Sequence, residues 1–281
     1  EYDRVTLIKK SERGEVTLIR HRASGNRYIF RHFSGSSEVY RKLLTVSCPN
    51  LPQIMEVGEK EGKTALLEEY VQGDTLGEIL QGGLLTAAQA KQITRQLCMA
   101  LWVLHSLGVV HRDVKPDNVI IRGTEAVLID FDASRIYKNE NREDTQVLGT
   151  TGFAAPEQYG GHGRTDARTD IYCLGATLYH LVTGKHPSSE PYMKPVRKIN
   201  PKLSEGLEKI IQKCTRQNPE ERYQSCAELK FDLDHVEEIG RKAQRKRSRN
   251  LGLFFGSVLM AVFGIAGMTG FKIAASNETR S

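Results

Sequence analysis

Between His111 and Val119 the chain reads HRDVKPDNV, which sets a carboxylate (Asp113), an ammonium (Lys115) and an amide (Asn118) in one short polar run. Phosphoryl transfer asks for such a set. It needs a group to accept or orient the proton of an incoming hydroxyl, a cation beside the phosphoryl group in flight, and a hard oxygen ligand for a magnesium ion. Asp113, Lys115 and Asn118 would take those jobs in that order. Asp, Lys, Pro and Asn are also ordinary turn residues, so the run alone admits a plain solvated turn.

The flanking segments narrow the choice. Asp130-Phe131-Asp132 follows the apolar run Ala126 to Ile129, which reads as a strand, and Ala155-Pro156-Glu157 comes later. A carboxylate just past a buried strand is poised to bind magnesium bridging nucleotide phosphates, which makes Asp130 a metal ligand beside Asn118. In this order the segments resemble the protein-kinase signature set H-R-D-x-K-x-x-N, D-F-G and A-P-E, with Asp132 where the family keeps glycine. Asp tolerates turn conformations, so the loop can form, and Asp132 is not taken as a further metal ligand. The runs Leu128 to Arg135 and Ala154 to Tyr159 are most similar to eukaryotic-like serine/threonine kinases of bacteria with a DFD variant and a single membrane span.

That resemblance covers about Val5 to Val236. It implies an α+β, two-lobed protein-kinase fold: a small antiparallel β lobe over residues 1–71 and a large, mainly helical lobe over 72–237. It also implies transfer of the γ-phosphate of Mg-ATP, with Mn2+ as an alternative metal, to Ser or Thr hydroxyls of proteins, with autophosphorylation. In the small lobe, Val16 to Ile19 and Tyr28 to Phe30 read as strands separated by the turn signal Ala23-Ser24-Gly25-Asn26. Aligning the family's G-x-G-x-x-G-x-V loop puts Lys9, Ser11, Gly14 and Val16 at the specified positions, and only Gly14 and Val16 match. Gly lets backbone N–H groups approach phosphate, whereas a lysine such as Lys9 would add charge instead; a plain hairpin tip is the competing reading.

Arg31 stands where the family has its strand-three lysine, keeping the charge with a planar, forked shape. Glu38, near the start of the next predicted helix, is its expected partner in a bidentate pair, or else a favourable charge at the helix's positive end. Cys48-Pro49-Asn50 resembles the family's H-P-N turn, and Glu68 to Gly73 resembles the hinge between lobes. By that resemblance the backbones of Glu69 and Val71 would bond the adenine edge, and Glu68 would guard the pocket behind it. Thr86 and Gln89 form a capping-box signature opening a helix whose Ile93, Leu97, Leu101 and Leu104 mark a buried face.

The polar stretch Lys138 to Asp144 resembles an exposed activation segment, with Thr145, Thr150 and Thr151 as candidate phosphate acceptors. Phosphate on Thr145 or Thr151 could order it through Arg112. Thr150 falls where serine/threonine kinases hold a threonine against the catalytic Asp and Lys. Asp170 resembles the residue that braces the catalytic loop, and Arg222 the arginine that pairs with Glu157.

The formal net charge is +6, and Arg241, Lys242, Arg245, Lys246, Arg247 and Arg249 alone account for that excess. Basicity confined to one collar is not a nucleic-acid footprint, which would spread over a folded face. The cysteines Cys48, Cys98, Cys173, Cys214 and Cys226 are scattered without a CxxC pair, so they read as small core residues of a reducing compartment. From Leu251 to Phe271 there is no charged residue. At about 1.5 Å per residue that run spans a hydrocarbon core of about 30 Å, and a buried core helix is the competing reading.

The expected plan is therefore a basic juxtamembrane segment at 238–250, a transmembrane helix at 251–271 and a short external tail at 272–281, with no external sensor domain. The basic collar keeps the preceding domain cytoplasmic at the cell membrane, and Gly252 with Gly256 admits a homodimer through helix pairing. Arg31, the absent glycines and Asp132 leave a second function open: a pseudokinase serving as a membrane-tethered binding or scaffolding module.

Overall fold

The computed structural model describes residues 1–12, 14–137, 149–159, 164–189 and 193–278, the last stretch without the side chains of 256, 258, 259 and 261–278. The Lys138 to Asp144 stretch and Thr145 lie outside the described residues.

Val, Ile, Thr and aromatic residues, which fit a pleated half-buried surface, build an antiparallel sheet of β1 (Tyr2–Ser11), β2 (Gly14–His21), β3 (Arg27–Ser34), β4 (Ile54–Lys60) and β5 (Lys63–Glu69), ordered β1-β2-β3-β5-β4. The two strands expected around Ala23 to Asn26 are β2 and β3. A single short helix, α1 (Glu38–Leu43), packs on this sheet through Val39, Tyr40 and Leu43.

The second lobe begins at β6 (Asp74–Thr75) and α2 (Leu76–Gln81), then α3 (Ala87–Ser106). The Thr86 hydroxyl accepts from Gln89 N–H and the Gln89 side chain answers the Thr86 N–H, as the capping signature requires. Leu97, Leu101 and Leu104 of α3 are fully buried. Short strands β7 (Val109–Val110), β8 (Val119–Arg122), β9 (Glu125–Leu128) and β10 (Arg135–Ile136) flank the polar loops. Below them lie α4 (Ala167–Thr183), buried over nearly its whole length, α5 (Val196–Ile199), α6 (Glu205–Cys214) and α7 (Cys226–Asp234). All five cysteines are free thiols, four of them buried.

Glu157 and Arg222 meet as a bidentate pair, Nη1–Oε1 2.7 Å and Nη2–Oε2 2.8 Å, with Arg222 among the most buried side chains. Arg222 further donates to the carbonyls of Arg216, Gln217 and Arg168, so every arm of the guanidinium is used. A desolvated charge is tolerated only when paired and bonded in this way.

The chain ends in one unbroken helix, α8 (Val236–Glu278). It starts on the lobe itself: a Cβ at Gly206 of α6 would come within 1.9 Å of the Val236 carbonyl oxygen, so glycine is what lets the two helices close. The boundaries expected at 237/238, 250/251 and 271/272 fall inside this helix with no break. Among the described residues no helix is long and apolar enough to cross a membrane, and most side chains of 251–271 lie outside them.

Replacing Arg222 with Met strands the Glu157 carboxylate. Denaturant unfolding should register a loss of about 3–5 kcal/mol, and a second change, Glu157→Gln, should recover part of it. A loss below about 1 kcal/mol would show that the pair is dispensable.

Candidate active site

The loop after β7 is held from below. Asp170, fully buried at the start of α4, accepts from the backbone N–H groups of His111 (2.9 Å) and Arg112 (2.7 Å), and its Oδ2 also lies 2.8 Å from His105 Nε2. Arg112 takes φ 70, a conformation non-glycine residues avoid, and those bonds hold it there. This is the bracing expected of Asp170.

Above that brace the polar side chains converge. Asn118 Nδ2 donates to Asp113 Oδ2 (2.9 Å) and to the Asp113 carbonyl (2.8 Å), and Lys115 Nζ sits 2.9 Å from Asp113 Oδ2. Lys115 also donates to Thr150 Oγ1 at 2.6 Å, and Thr150 in turn donates to Asp113 Oδ1 at 2.7 Å. Both carboxylate oxygens of Asp113 are thus oriented. Both of these Asn118 side-chain bonds use the amide N–H groups, which leaves the amide oxygen as the atom that can ligate a cation.

Asp130 is brought to the same place by the β8–β9 hairpin, in which Val119 pairs with Leu128. One residue further, Ile129 N–H donates to the Asn118 carbonyl at 2.9 Å, so the chain turns out of the hairpin beside Asn118. Asp130 sits at φ 67. Phe131 is buried, its ring 5.4 Å from His111 and 6.1 Å from Tyr40, which joins the two lobes through aromatic contacts.

The buried cation that the small lobe brings to the site is Arg31. Its Nη2 donates to Asp130 Oδ1 (2.9 Å) and Asp132 Oδ1 (2.6 Å), and its Nη1 lies 3.6 Å from Glu68 Oε1. Burial works against its charge, but Tyr40, Glu68, Asp130 and Asp132 outweigh that and hold it more firmly protonated than usual. Burial likewise pushes Glu68 up, to about 7, against the pull of Arg31, with Asp130 and Asp132 reinforcing the rise. Asp130, although desolvated, is held below the ordinary carboxylate range by Arg31. Lys9 adds its charge to the same side, as its place in the aligned loop allowed.

A cavity of about 850 Å³ opens between the tip of β1–β2, α1 and the Asp130 loop. Gly14, Val16, Arg31 and Glu38 line it together with Lys9 and Asp132, whereas Glu69 and Val71 do not. Gly14 has a packing duty as well: a Cβ there would stand 2.2 Å from the His32 carbonyl oxygen.

Of the two readings open for Glu38, the structure shows the second. Arg31 does not pair with Glu38: Val39 and Tyr40 fill the buried side of the first turn of α1, and the Glu38 side chain is exposed, where it complements the helix dipole. The Glu69 N–H is donated to the Gln53 carbonyl at 2.8 Å, so a bond from the Glu69 backbone to an adenine edge would fall to its carbonyl, and its carboxylate is bonded to Arg122 at 2.6 Å. Sequence reasoning also missed that Glu68 and Tyr40 surround Arg31. The signal for Glu68 was present, an acidic residue directly after the apolar run Ala65 to Leu67 and at the position guarding the pocket behind the hinge; for Tyr40 there was none.

A small β lobe carrying a buried cation, set over a helical lobe whose loop carries Asp113, Lys115 and Asn118, is the architecture of a nucleotide-dependent phosphotransferase. The family model described as the protein kinase domain matches residues 10–232, and the chain belongs to that family. It is 34% identical over 209 residues to serine/threonine-protein kinase PknB of Mycobacterium tuberculosis, covering 67% of this chain and 33% of the relative. It is 30% identical over 236 residues to the probable serine/threonine-protein kinase CPE1738 of Clostridium perfringens, covering 79% and 34%. The chain thus spans about a third of the length of the curated relatives it matches.

The Glu68 carboxyl binds its proton more tightly in the folded chain, near 7 against an ordinary 4.5, so its contribution to stability is present at low pH and is lost as pH rises through 7. Relative to Glu68→Gln, the parent should therefore lose about 2–3 kcal/mol between pH 5 and pH 8 in denaturant unfolding. Parallel pH profiles would contradict this.

Proposed function

We propose that the chain is a membrane-anchored serine/threonine protein kinase that transfers the γ-phosphate of Mg-ATP to Ser and Thr hydroxyls of proteins, including its own. The observation that carries this reading is the bonded set Asp113, Lys115, Asn118 and Thr150. Asp113 accepts the proton of the attacking hydroxyl, and the orientation of both its oxygens sets where that hydroxyl must lie. Lys115 places positive charge beside the transferring group, and Thr150, bonded to both, links the substrate-side loop to the catalytic loop.

Asn118 and Asp130 would hold magnesium or manganese. The donor set fits: an amide oxygen not engaged by the two bonds that Asn118 makes through its nitrogen, a carboxylate kept ionised by Arg31, and an excess of carboxylates over cations around it. Few protein ligands with the rest from phosphates is the pattern Mg2+ favours, and once bound the ion supplies charge neutralisation for the triphosphate. Arg31 and Lys9 present cations from the small lobe, and Gly14 and Val16 form the cover of the phosphate end.

The uncharged run 251–271 behind the collar at 241–249 supports a single membrane span with the kinase on the cytoplasmic side, and Gly252 with Gly256 supports pairing of two copies. A second reading, a pseudokinase binding module, draws on one observation: Arg31 Nη2 is spent on Asp130 and Asp132 rather than held apart from the metal ligand.

Purified chain incubated with radiolabelled ATP and Mg2+ or Mn2+ should label itself on Ser or Thr. Asp113→Asn should lower that rate by about 10²–10⁴-fold, the worth of a positioned base. A parent that fails to label with either metal would sink the enzymatic reading and favour the binding module.

A further inference from the structure

The partner that fixes Arg31 comes from a neighbouring strand. In the β3–β5 ladder Arg31 stands opposite Leu66, so Glu68, two positions along β5, projects from the same face as a diagonal neighbour. Both side chains are buried, with Arg31 Nη1 3.6 Å from Glu68 Oε1. The other arm of the fork, Nη2, is the one engaged by Asp130 and Asp132. Helix α1 offers no acid to this centre. Its Glu38 is exposed, and the residue it presents over Arg31 is Tyr40, buried against Phe33 and Phe131, with its hydroxyl 3.4 Å from Asp132 Oδ1.

We propose that Glu68 is the positioning residue for Arg31 during phosphoryl transfer, through an ion pair strung between two strands of one sheet, and that the arginine at 31 and the glutamate at 68 work as a matched set. The inference rests on the phosphotransferase reading above. A guanidinium has two separate N–H arms, so one can stay on Glu68 while the other leaves the aspartates for phosphate oxygens; the three donors of an ammonium radiate from one nitrogen, so they serve a carboxylate and a phosphate only where both approach the same point. Three carboxylates around one guanidinium leave an excess of negative charge. Cations arriving with the nucleotide offset it at Asp130 and Asp132. Glu68 does not line the cavity, and it keeps Arg31 as its counter-ion. Because β3 and β5 are bonded neighbours, the cation is set by the sheet and does not depend on where α1 sits.

The test is a pair of double-mutant cycles on the purified chain, Arg31→Lys with Glu68→Gln and Arg31→Lys with Glu38→Gln, read as kcat, KM for Mg-ATP and Kd for Mg-ADP. Glu68→Gln should lower kcat by about tenfold or more with KM changed far less, as loss of an interaction made in the transition state does. Arg31→Lys should also lose activity, and the Arg31–Glu68 cycle should be non-additive by about fivefold or more while the Glu38 cycle is additive. Glu68→Asp should recover part of the rate, which a purely packing role would not allow. The inference is overturned by a Glu68→Gln enzyme as fast as the parent, by a gain of activity in Arg31→Lys, or by additivity at Arg31–Glu68. If the parent transfers no phosphate, it is the phosphotransferase reading that fails. The Arg31–Glu68 cycle is then read from Mg-ADP affinity, where coupling upholds the pair and additivity overturns it.

Discussion

A guanidinium sunk among three carboxylates is the constraint on which the site depends. Arg31 is nearly dry, and a lone charge so placed would cost far more than a folded domain can supply. Its environment therefore has to deliver acids from several directions: Glu68 along the adjacent strand, and Asp130 and Asp132 from the loop beyond β9. Delivering them fixes the sheet register, the exit of the β8–β9 hairpin and the approach of the lobes, which Phe131 completes between Tyr40 and His111.

The large lobe applies the same logic with a different outcome. Asp170 and the Glu157–Arg222 pair are buried charges whose lone pairs and protons are almost all used on backbone groups or on each other. Their bonds hold loops in place. The strained backbone at Arg112 is held by Asp170, and the Asp130 carboxylate, on an equally strained residue, is held by Arg31 and the Asp132 N–H. The Asp113, Lys115, Asn118 and Thr150 set then inherits its orientation from a rigid floor.

Much of this was legible in the residues because it is local. Asp113, Lys115 and Asn118 lie within one turn-rich run, so their spacing alone brings them together, and the Thr86–Gln89 cap is likewise a matter of neighbouring positions. The contacts of Thr150 and Asp170 followed from the family resemblance. What could not be read was direction. Glu38 is at a plausible distance in sequence from Arg31, but a helix of six residues that starts at Glu38 turns it to solvent and puts Tyr40 inward. Glu68 was visible as an acid at the position guarding the pocket behind the hinge, yet its partner depends on the β3–β5 register, a non-local fact. That the Glu69 N–H bonds the Gln53 carbonyl, just before β4, is non-local in the same way.

The most direct measurement is a crystal structure of the chain with Mn2+ and a non-hydrolysable ATP analogue, with the metal located by its anomalous signal. The account predicts manganese on the Asn118 amide oxygen and the Asp130 carboxylate, with one arm of Arg31 moved from Asp130 to a phosphate oxygen and the other still on Glu68. Metal bound away from Asn118 and Asp130, or Arg31 still closed on Asp130 with nucleotide present, would contradict it.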